Sequence, residues 1–339
     1  MRAASRAAYG EPTRARYPDD AGYAERDGVR LFWEVYGSGD PTVLFVTPGP
    51  VAQSRLWKGQ VPYLSRHARV LTFDGRGCGR SDRPDGVDAY RSEEMARDVL
   101  AVMDASDTGR AMVVTFSGGS RWTLWLLANH PERFAGGVFI GPYLPLTRWQ
   151  PVETMRRTFG EPRRSRRALR MVVDTVAALP RSVRSPSYRR FARSVSLSEG
   201  VDMYNGPSWL RDQRAYVEWL MGTLNFAEPH STRQIEDGIE WAMEADARTL
   251  VDWWQALDIV DDALLRDREQ VLGCCERVRC PVLVIQGERD LAVPPEWGEA
   301  LARATGGRFL TVAGCGHVPQ ARKPVAVNLA LREFLESLG

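Results

Sequence analysis

The chain has 339 residues, a formal net charge of +2 at pH 7 and 44% hydrophobic residues. This length allows one large α/β domain with an insertion, and the hydrophobic fraction suits a globular core. The near-neutral charge argues against nucleic acid, and no apolar run approaches the roughly 20 residues that span a bilayer. We therefore expect a globular enzyme for a small-molecule substrate, with no nucleic-acid or membrane partner and an undetermined oligomeric state.

The N-terminal segment and the cysteines indicate the compartment. Residues 1–20 are rich in Ala and Arg and lack an apolar run, which predicts a flexible tail rather than a secretion signal. The cysteine number is odd and shows no paired CxxC spacing, which predicts neither a disulfide framework nor a zinc site. We expect a cytoplasmic, bacterial protein without a cofactor. The five are Cys78, Cys274, Cys275, Cys280 and Cys315.

Predicted strands alternate with predicted helices through most of the chain. Alternating residues from Tyr23 to Tyr36 around Asp27-Gly28 predict a hairpin, and Ser92 is a predicted helix N-cap. A final amphipathic helix is predicted over 325–338. This alternation predicts a mostly parallel sheet with helices on both faces. The apolar runs predicted as buried strands are 42–47, 70–73, 111–116, 137–140, 282–286 and 309–312.

The alternation stops between residues 144 and 258, where the sequence is helical and rich in Trp and Arg. We interpret 144–258 as an inserted helical cap, or lid, on a core formed by 21–143 and 259–339.

Three polar residues each follow a predicted strand. Ser117 lies in the segment AMVVTFSGGSRW, between a strand and a helix, and Gly118 and Gly119 follow it. Such a strained turn holds a serine hydroxyl clear of the backbone. Asp290 ends the segment Gly-Glu-Arg-Asp after the 282–286 strand, and His317 ends Gly-Cys-Gly-His after the next strand. The alternative for Ser117 is a purely structural role, as a polar residue in an ordinary glycine turn.

These motifs resemble the α/β-hydrolase superfamily, whose elbow is usually G-x-S-x-G and whose triad follows the order Ser, Asp, His. Thr115 replaces the first glycine, and we expect Gly119 to relieve the crowding. Two further matches are D-x-R-G-x-G-x-S-D at 74–82 and NHPERF at 129–134. The resemblance covers residues 23–143 and 279–338. It implies an α/β-hydrolase fold with a mostly parallel sheet of the eight-stranded type.

In this scheme His317 takes the Ser117 proton, and Asp290 holds and stabilises the imidazole. Glu288 is the second choice for the acid. His67 and His130 lie at predicted helix ends, and His230 lies in the cap.

An oxyanion hole needs backbone N–H donors near the nucleophile. Gly118 is one candidate. The superfamily usually has His-Gly-x-Pro after the first parallel strand, and this chain has Thr47-Pro48-Gly49-Pro50, so the resemblance makes Gly49 the second donor.

Other side chains near these motifs have less specific roles. Asp74 is expected to hold a loop, and Cys78 and Cys315 are expected to be inert thiols. Aromatic cap residues could form a bulky substrate pocket or the core of the lid. Residues selected as substrate-binding are Phe116, Pro50, Trp149, Trp209 and Trp219.

Residues 148–194 contain thirteen arginines against three acidic residues. This charge could attract an acidic substrate, a coenzyme A-linked substrate or an acidic carrier protein. The alternative is a solvated lid face.

The expected function is hydrolysis of an ester, thioester or lactone of a small, bulky or aromatic substrate through an acyl-enzyme, as in the carboxylic ester hydrolases. In the superfamily, epoxide hydrolases and haloalkane dehalogenases have Asp at the elbow, so Ser117 argues against both. The alternatives are C–C bond hydrolysis, acyl transfer including perhydrolysis, a non-hydrolytic ligand-binding module and an Arg-rich interaction scaffold.

Overall fold

The structure is a computed structural model, and it describes residues 15–144, 146, 210, 213–221, 232–258, 268–290 and 292–339. The arginine-rich segment 148–194 and most of the predicted tail lie outside these residues.

An eight-stranded sheet forms the centre of the molecule, with strand order β1-β2-β4-β3-β5-β6-β7-β8. Strands β3 to β8 are parallel, and β2 is antiparallel to both of its neighbours. This sheet confirms the predicted fold class. The strands are β1 Asp20–Arg26, β2 Val29–Tyr36, β3 Thr42–Val46, β4 Val70–Phe73, β5 Ala111–Phe116, β6 Phe134–Ile140, β7 Val282–Gly287 and β8 Arg308–Val312.

The predicted hairpin joins β1 to β2 through Asp27 and Gly28, whose φ angles are +52° and +78°. Two positive φ values are what a two-residue type I′ turn requires. The short apolar runs form the central strands of the sheet. Every residue of β3, β4, β5, β6 and β7 is buried, as their apolar composition predicts. Apolar cores lie on both faces of the sheet.

Helices pack against the sheet and against the loops that follow its strands. They are α1 Val61–Leu64, α2 Ser92–Ala105, α3 Ser120–Asn129, α4 Gln213–Trp219, α5 Thr232–Glu244, α6 Ala247–Asp258, α7 Arg268–Arg277, α8 Pro295–Thr305, α9 Pro319–Arg322 and α10 Pro324–Glu336. Ser92 is the first residue of α2 rather than its N-cap, which is Arg91. The N-cap prediction was therefore wrong by one residue, a normal uncertainty at helix ends.

Helices α5 and α6, which lie between β6 and β7 in the chain, are bound to the loops that follow β3 and β4. Arg55 Nη2 lies 2.7 Å from Glu244 Oε1, and Lys58 forms an ion pair with Asp237. The N–H of Gly86 donates to Asp252 Oδ2 at 3.0 Å. These contacts place α6 next to the carboxyl ends of the parallel strands. Among the described residues, no helix combines the length and the hydropathy needed to cross a membrane.

Candidate active site

Ser117 lies at a sharp turn between β5 and α3. Its φ is +49°, in the left-handed region that non-glycine residues rarely adopt. A 3₁₀ turn over Ser117–Gly119 follows directly, and α3 starts at Ser120. The carbonyl oxygen of Ser117 accepts a hydrogen bond from the Tyr143 N–H at 3.2 Å. Strained backbone of this kind persists only where the surrounding structure holds it in place, and it is found most often at functional sites.

Thr115 occupies the space that Gly119 leaves open. A Cβ atom on Gly119 would lie 2.5 Å from Thr115 Oγ1 and 2.9 Å from the Thr47 carbonyl oxygen. Any larger residue at 119 would therefore clash with β5 and with the residue that follows β3. The expectation that Gly119 relieves the crowding by Thr115 is confirmed.

Ser117, His317 and Asp290 form a hydrogen-bonded line. His317 Nε2 lies 3.0 Å from Ser117 Oγ, and His317 Nδ1 lies 2.8 Å from Asp290 Oδ2. Asp290 follows β7 and His317 follows β8, so both reach Ser117 from neighbouring carboxyl ends of the sheet. His317 is 3% exposed and Asp290 is fully buried. The sequence-predicted trio is thus brought together with the separations that a nucleophile, a base and an orienting acid require.

The alternative acid, Glu288, points elsewhere. Its side chain is exposed, and its Oε2 accepts a hydrogen bond from the Gly314 N–H at 2.8 Å. Glu288 therefore connects the two loops that carry Asp290 and His317, and it does not contact the imidazole.

The Asp290 carboxylate is held on both oxygens. Oδ1 accepts hydrogen bonds from the N–H groups of Ala292 and Val293, each at 2.9 Å. Oδ2 accepts one from Gln286 Nε2 at 2.8 Å, in addition to the imidazole. A buried carboxylate with this many donors has a fixed orientation.

Two residues fix the imidazole ring of His317. The Phe116 ring lies 4.8 Å from it, centroid to centroid. Gly141, the first residue after β6, has φ +52°, and a Cβ atom there would lie 3.2 Å from His317 Cε1 and Nδ1. Phe116, expected to bind substrate, therefore packs against the His317 ring. Sequence reasoning missed Gly141, because a lone glycine after a strand carries no signal of what its Cα faces.

The two proposed oxyanion donors, Gly118 and Gly49, lie on adjacent segments. A Cβ atom on Gly118 would lie 2.9 Å from the Pro48 carbonyl oxygen, so the elbow touches the loop after β3. Gly49 has φ +128°, a conformation essentially restricted to glycine. Within the described ranges, neither N–H donates to a backbone carbonyl. Their role as oxyanion donors stays a prediction.

Trp253 of α6 lies over the loop after β3 that carries Gly49. A Cβ atom on Gly49 would lie 2.5 Å from Trp253 Cε2, and one on Gly118 would lie 3.9 Å from its Cζ2. The indole is buried. Sequence reasoning grouped Trp253 with the other cap aromatics and did not select it, because helical spacing does not indicate which tryptophan faces the core.

The residues selected from the sequence as substrate-binding have different outcomes. Pro50 is buried, and its Cγ would lie 2.9 Å from a Cβ atom on Gly77, so it packs within the core loops. Trp149 and Trp209 lie outside the described residues. Trp219 is the last residue of α4, and its side chain is also outside them.

Other polar groups near the site have structural roles. Asp74 accepts hydrogen bonds from the N–H groups of Ser54 and Arg80, both at 2.9 Å, which confirms the loop-holding role expected for it. Burial raises the pKa of the Cys78 thiol well above its ordinary value, and Cys315 is also buried. An inert Cys78 is consistent with this shift. No group of three or more potential metal ligands occurs in the part of the chain that the structure describes.

Comparisons with known sequences show the family of the chain. A sequence model of the family described as "alpha/beta hydrolase fold" matches residues 41–324. A putative non-heme bromoperoxidase from Mycobacterium tuberculosis is 25% identical over 313 residues, which span 91% of this chain and 99% of that protein. A putative carbamate hydrolase from Caulobacter segnis is 35% identical over 108 residues, 32% of this chain and 39% of that protein.

Solved structures share the fold. A bromoperoxidase from Bacillus anthracis superimposes with a TM-score of 0.68 at 20% identity, over 94% of this chain and 100% of that one. An enol-lactonase from Burkholderia xenovorans superimposes with a TM-score of 0.60 at 22% identity, over 93% and 100% of the two chains. At these identities the likeness shows the fold alone.

Proposed function

Because the chain belongs to the alpha/beta hydrolase family, we propose that it is a serine hydrolase that cleaves a carboxylic ester, thioester or lactone through an acyl-enzyme on Ser117. The observation that carries the proposal is the hydrogen-bonded line from Ser117 Oγ through His317 to Asp290, with separations of 3.0 and 2.8 Å. The strained φ of Ser117 supports it, because the strain serves to present the hydroxyl.

The first half of the reaction forms the acyl-enzyme. His317 Nε2 takes the hydroxyl proton as Ser117 Oγ attacks the acyl carbon, while Asp290 stabilises the imidazolium. The carbonyl oxygen becomes an oxyanion, which the N–H groups of Gly118 and Gly49 stabilise. His317 then gives its proton to the departing alcohol or thiol as the tetrahedral intermediate collapses.

In the second half, His317 takes a proton from water as the water oxygen attacks the acyl carbon, and returns it to Ser117 Oγ as the acid is released. A serine oxygen suits this route because it forms an acyl ester that water can cleave again. It does not suit displacement at an alkyl carbon, for which a carboxylate nucleophile is required.

The wall of the site favours a bulky or aromatic acyl compound. Trp253 lies against the loop that carries Gly49, and Phe116 lies against His317. Apolar surface therefore borders the reacting atoms on two sides. Two similar proteins bear the name bromoperoxidase, and the same three catalytic residues support acyl transfer to hydrogen peroxide. Peroxide is therefore included as an acceptor in the test below.

The proposal also covers the cellular compartment and the kind of substrate. All five cysteines are free, which fits a reducing, cytoplasmic compartment. A coenzyme A-linked or carrier-bound substrate for the arginine-rich segment 148–194 is supported by the sequence alone.

A fluorophosphonate probe and a panel of p-nitrophenyl and aromatic esters test the proposal. The wild-type protein should take one adduct per chain, at Ser117, and hydrolyse part of the panel. Ser117→Ala should take no adduct and lose at least about 10³-fold in kcat. Ser120→Ala is the matched control, because it removes a buried hydroxyl three residues away and should be labelled like the wild type.

Two outcomes would contradict the proposal. One is a folded wild-type protein that takes no adduct and turns over no ester, which would favour a ligand-binding module. The other is undiminished turnover by Ser117→Ala. Repeating the assay with hydrogen peroxide or an alcohol present shows which acceptor the acyl-enzyme prefers.

A further inference from the structure

Gln286 lies behind the acid of the triad and is fully buried in β7. Its Nε2 donates to Asp290 Oδ2 at 2.8 Å, the oxygen that also accepts from His317 Nδ1 at 2.8 Å. The backbone donors at positions 292 and 293 both serve the other oxygen, Oδ1. Gln286 is therefore the donor that fixes the oxygen facing the imidazole.

The acceptors around Gln286 determine the orientation of its amide. Besides Asp290 Oδ2, the Val293 carbonyl oxygen lies 3.5 Å from Nε2. Exchanging the amide oxygen and nitrogen would place Oε1 against a carboxylate and a carbonyl, both of which are acceptors only. The NH₂ group thus faces Asp290.

The other end of the amide is unfavourable for stability. Gln286 Oε1 is buried and accepts no hydrogen bond from the residues that the structure describes. A buried acceptor without a donor destabilises a fold, whereas an apolar side chain of the same shape does not. The neighbouring helix nevertheless accommodates this oxygen, since a Cβ atom on Gly298 of α8 would lie 2.7 Å from it. Stability alone does not explain a glutamine at this position.

We propose that Gln286 is a positioning residue that keeps Asp290 Oδ2 in line with the His317 ring, an inference that rests on the serine-hydrolase function proposed above. With Oδ1 held by two backbone groups, the carboxylate could still turn about the axis of those bonds. The Gln286 amide prevents this rotation, so that Oδ2 meets Nδ1–H during both proton transfers.

Replacing the donor separates positioning from stability. Gln286→Met keeps the length of the side chain and removes both amide atoms. We expect kcat/KM to fall about 10- to 100-fold, mainly in kcat, as is typical for partners that orient a catalytic group. The free energy of unfolding, measured by urea titration, should change little, because removal of the unpaired Oε1 offsets the loss of one of the donors to Asp290.

Gln60→Met is the matched control. Gln60 is also fully buried, its Nε2 donates to the Gln320 carbonyl oxygen at 2.9 Å, and its Oε1 has no partner among the described residues. It does not contact Asp290, so kcat/KM should stay within about threefold of the wild type.

Gln286→Glu provides a readout that a structural role would not give. At acidic pH the introduced carboxyl is protonated and donates to Asp290 Oδ2 as the amide does. At higher pH it loses the proton, and two carboxylates then share one buried site and repel each other. We expect a new alkaline fall in the pH profile of kcat/KM, absent from the wild type and from Gln286→Met.

The rate of fluorophosphonate labelling, measured for all four proteins, separates the two proposals. An unlabelled wild type would overturn the hydrolase function and this inference with it. A labelled wild type with Gln286→Met within twofold of it in kcat/KM would overturn the positioning role alone. So would an equal loss of kcat/KM in Gln60→Met, or a Gln286→Glu profile without the alkaline fall.

Discussion

Adding one methyl group at Gly141 should displace the imidazole of His317. Gly141 has φ +52°, and a Cβ atom there would lie 3.2 Å from His317 Cε1 and Nδ1 and 3.4 Å from Asp290 Oδ2. Carbon atoms in van der Waals contact are about 3.5–4.0 Å apart, so the ring must move by a few tenths of an ångström. Gly141→Ala therefore acts directly on the line between His317 and Ser117.

Two effects follow from this geometry, one on stability and one on rate. The left-handed backbone costs an alanine about 1–2 kcal/mol of folding free energy. The shift of His317 lengthens its 3.0 Å contact with Ser117 Oγ. A displacement of 1 Å at a catalytic group costs about 10²-fold in rate, so a smaller shift should reduce kcat about 10-fold.

Gly306→Ala is the matched control for backbone strain. Gly306 ends α8 with φ +64°, and a Cβ atom there would have no neighbour within 4 Å. Both variants should lose similar unfolding free energy in urea titration, and only Gly141→Ala should lose ester turnover. Wild-type turnover in Gly141→Ala, or an equal loss of turnover in both variants, would refute the reasoning.

Three further predictions concern stability and thiol reactivity. Asp98→Ala should lower the free energy of unfolding by about 3–5 kcal/mol in urea titration, because the buried Arg76 would lose its hydrogen bonds to Asp98 at 2.6 and 2.7 Å and keep the Ala89 carbonyl oxygen and the more distant Glu94 carboxylate. A loss below about 1 kcal/mol would contradict this. Burial raises the pKa of Glu94, but the hydrogen bond and charge of Arg26 outweigh it, and the folded-state pKa lies below the ordinary 4.5. The contribution of Glu94 to stability is therefore complete above the unfolded-state pKa and lost as the pH falls through the folded-state value, so that urea titrations should show a steeper acid-side loss for the wild type than for Glu94→Gln. Cys78 should not react with a thiol-specific disulfide reagent until urea unfolds the chain, and rapid reaction in the native state would show that burial does not suppress its thiolate.

Local sequence patterns located the strands and the three polar residues at their ends. They were wrong about the burial of β8, which was predicted as a buried strand but is exposed or half-buried except at Val312, because it lies at the edge of the sheet. Four of the predicted strands consist mostly of apolar residues and are buried along their whole length. They are 42–46, 70–73, 111–116 and 282–287. Such runs have few alternatives to a central parallel strand. The order of Ser117, Asp290 and His317 along the chain matches the order in the α/β-hydrolase superfamily, and this resemblance predicted that they form a triad. In the structure they meet because each of them follows the carboxyl end of a parallel strand.

The tertiary structure alone decided which residues surround them. Three contacts illustrate this. Trp253 packs on Gly49 and His317 packs on Gly141, in each case between residues far apart in the sequence. Gln286 donates to Asp290 across the turn that follows β7. Helical or strand periodicity gives the buried face of an element but not the neighbour that this face meets. The sequence by itself therefore determined the fold class and the candidate triad, and packing in three dimensions decided what holds the triad in line.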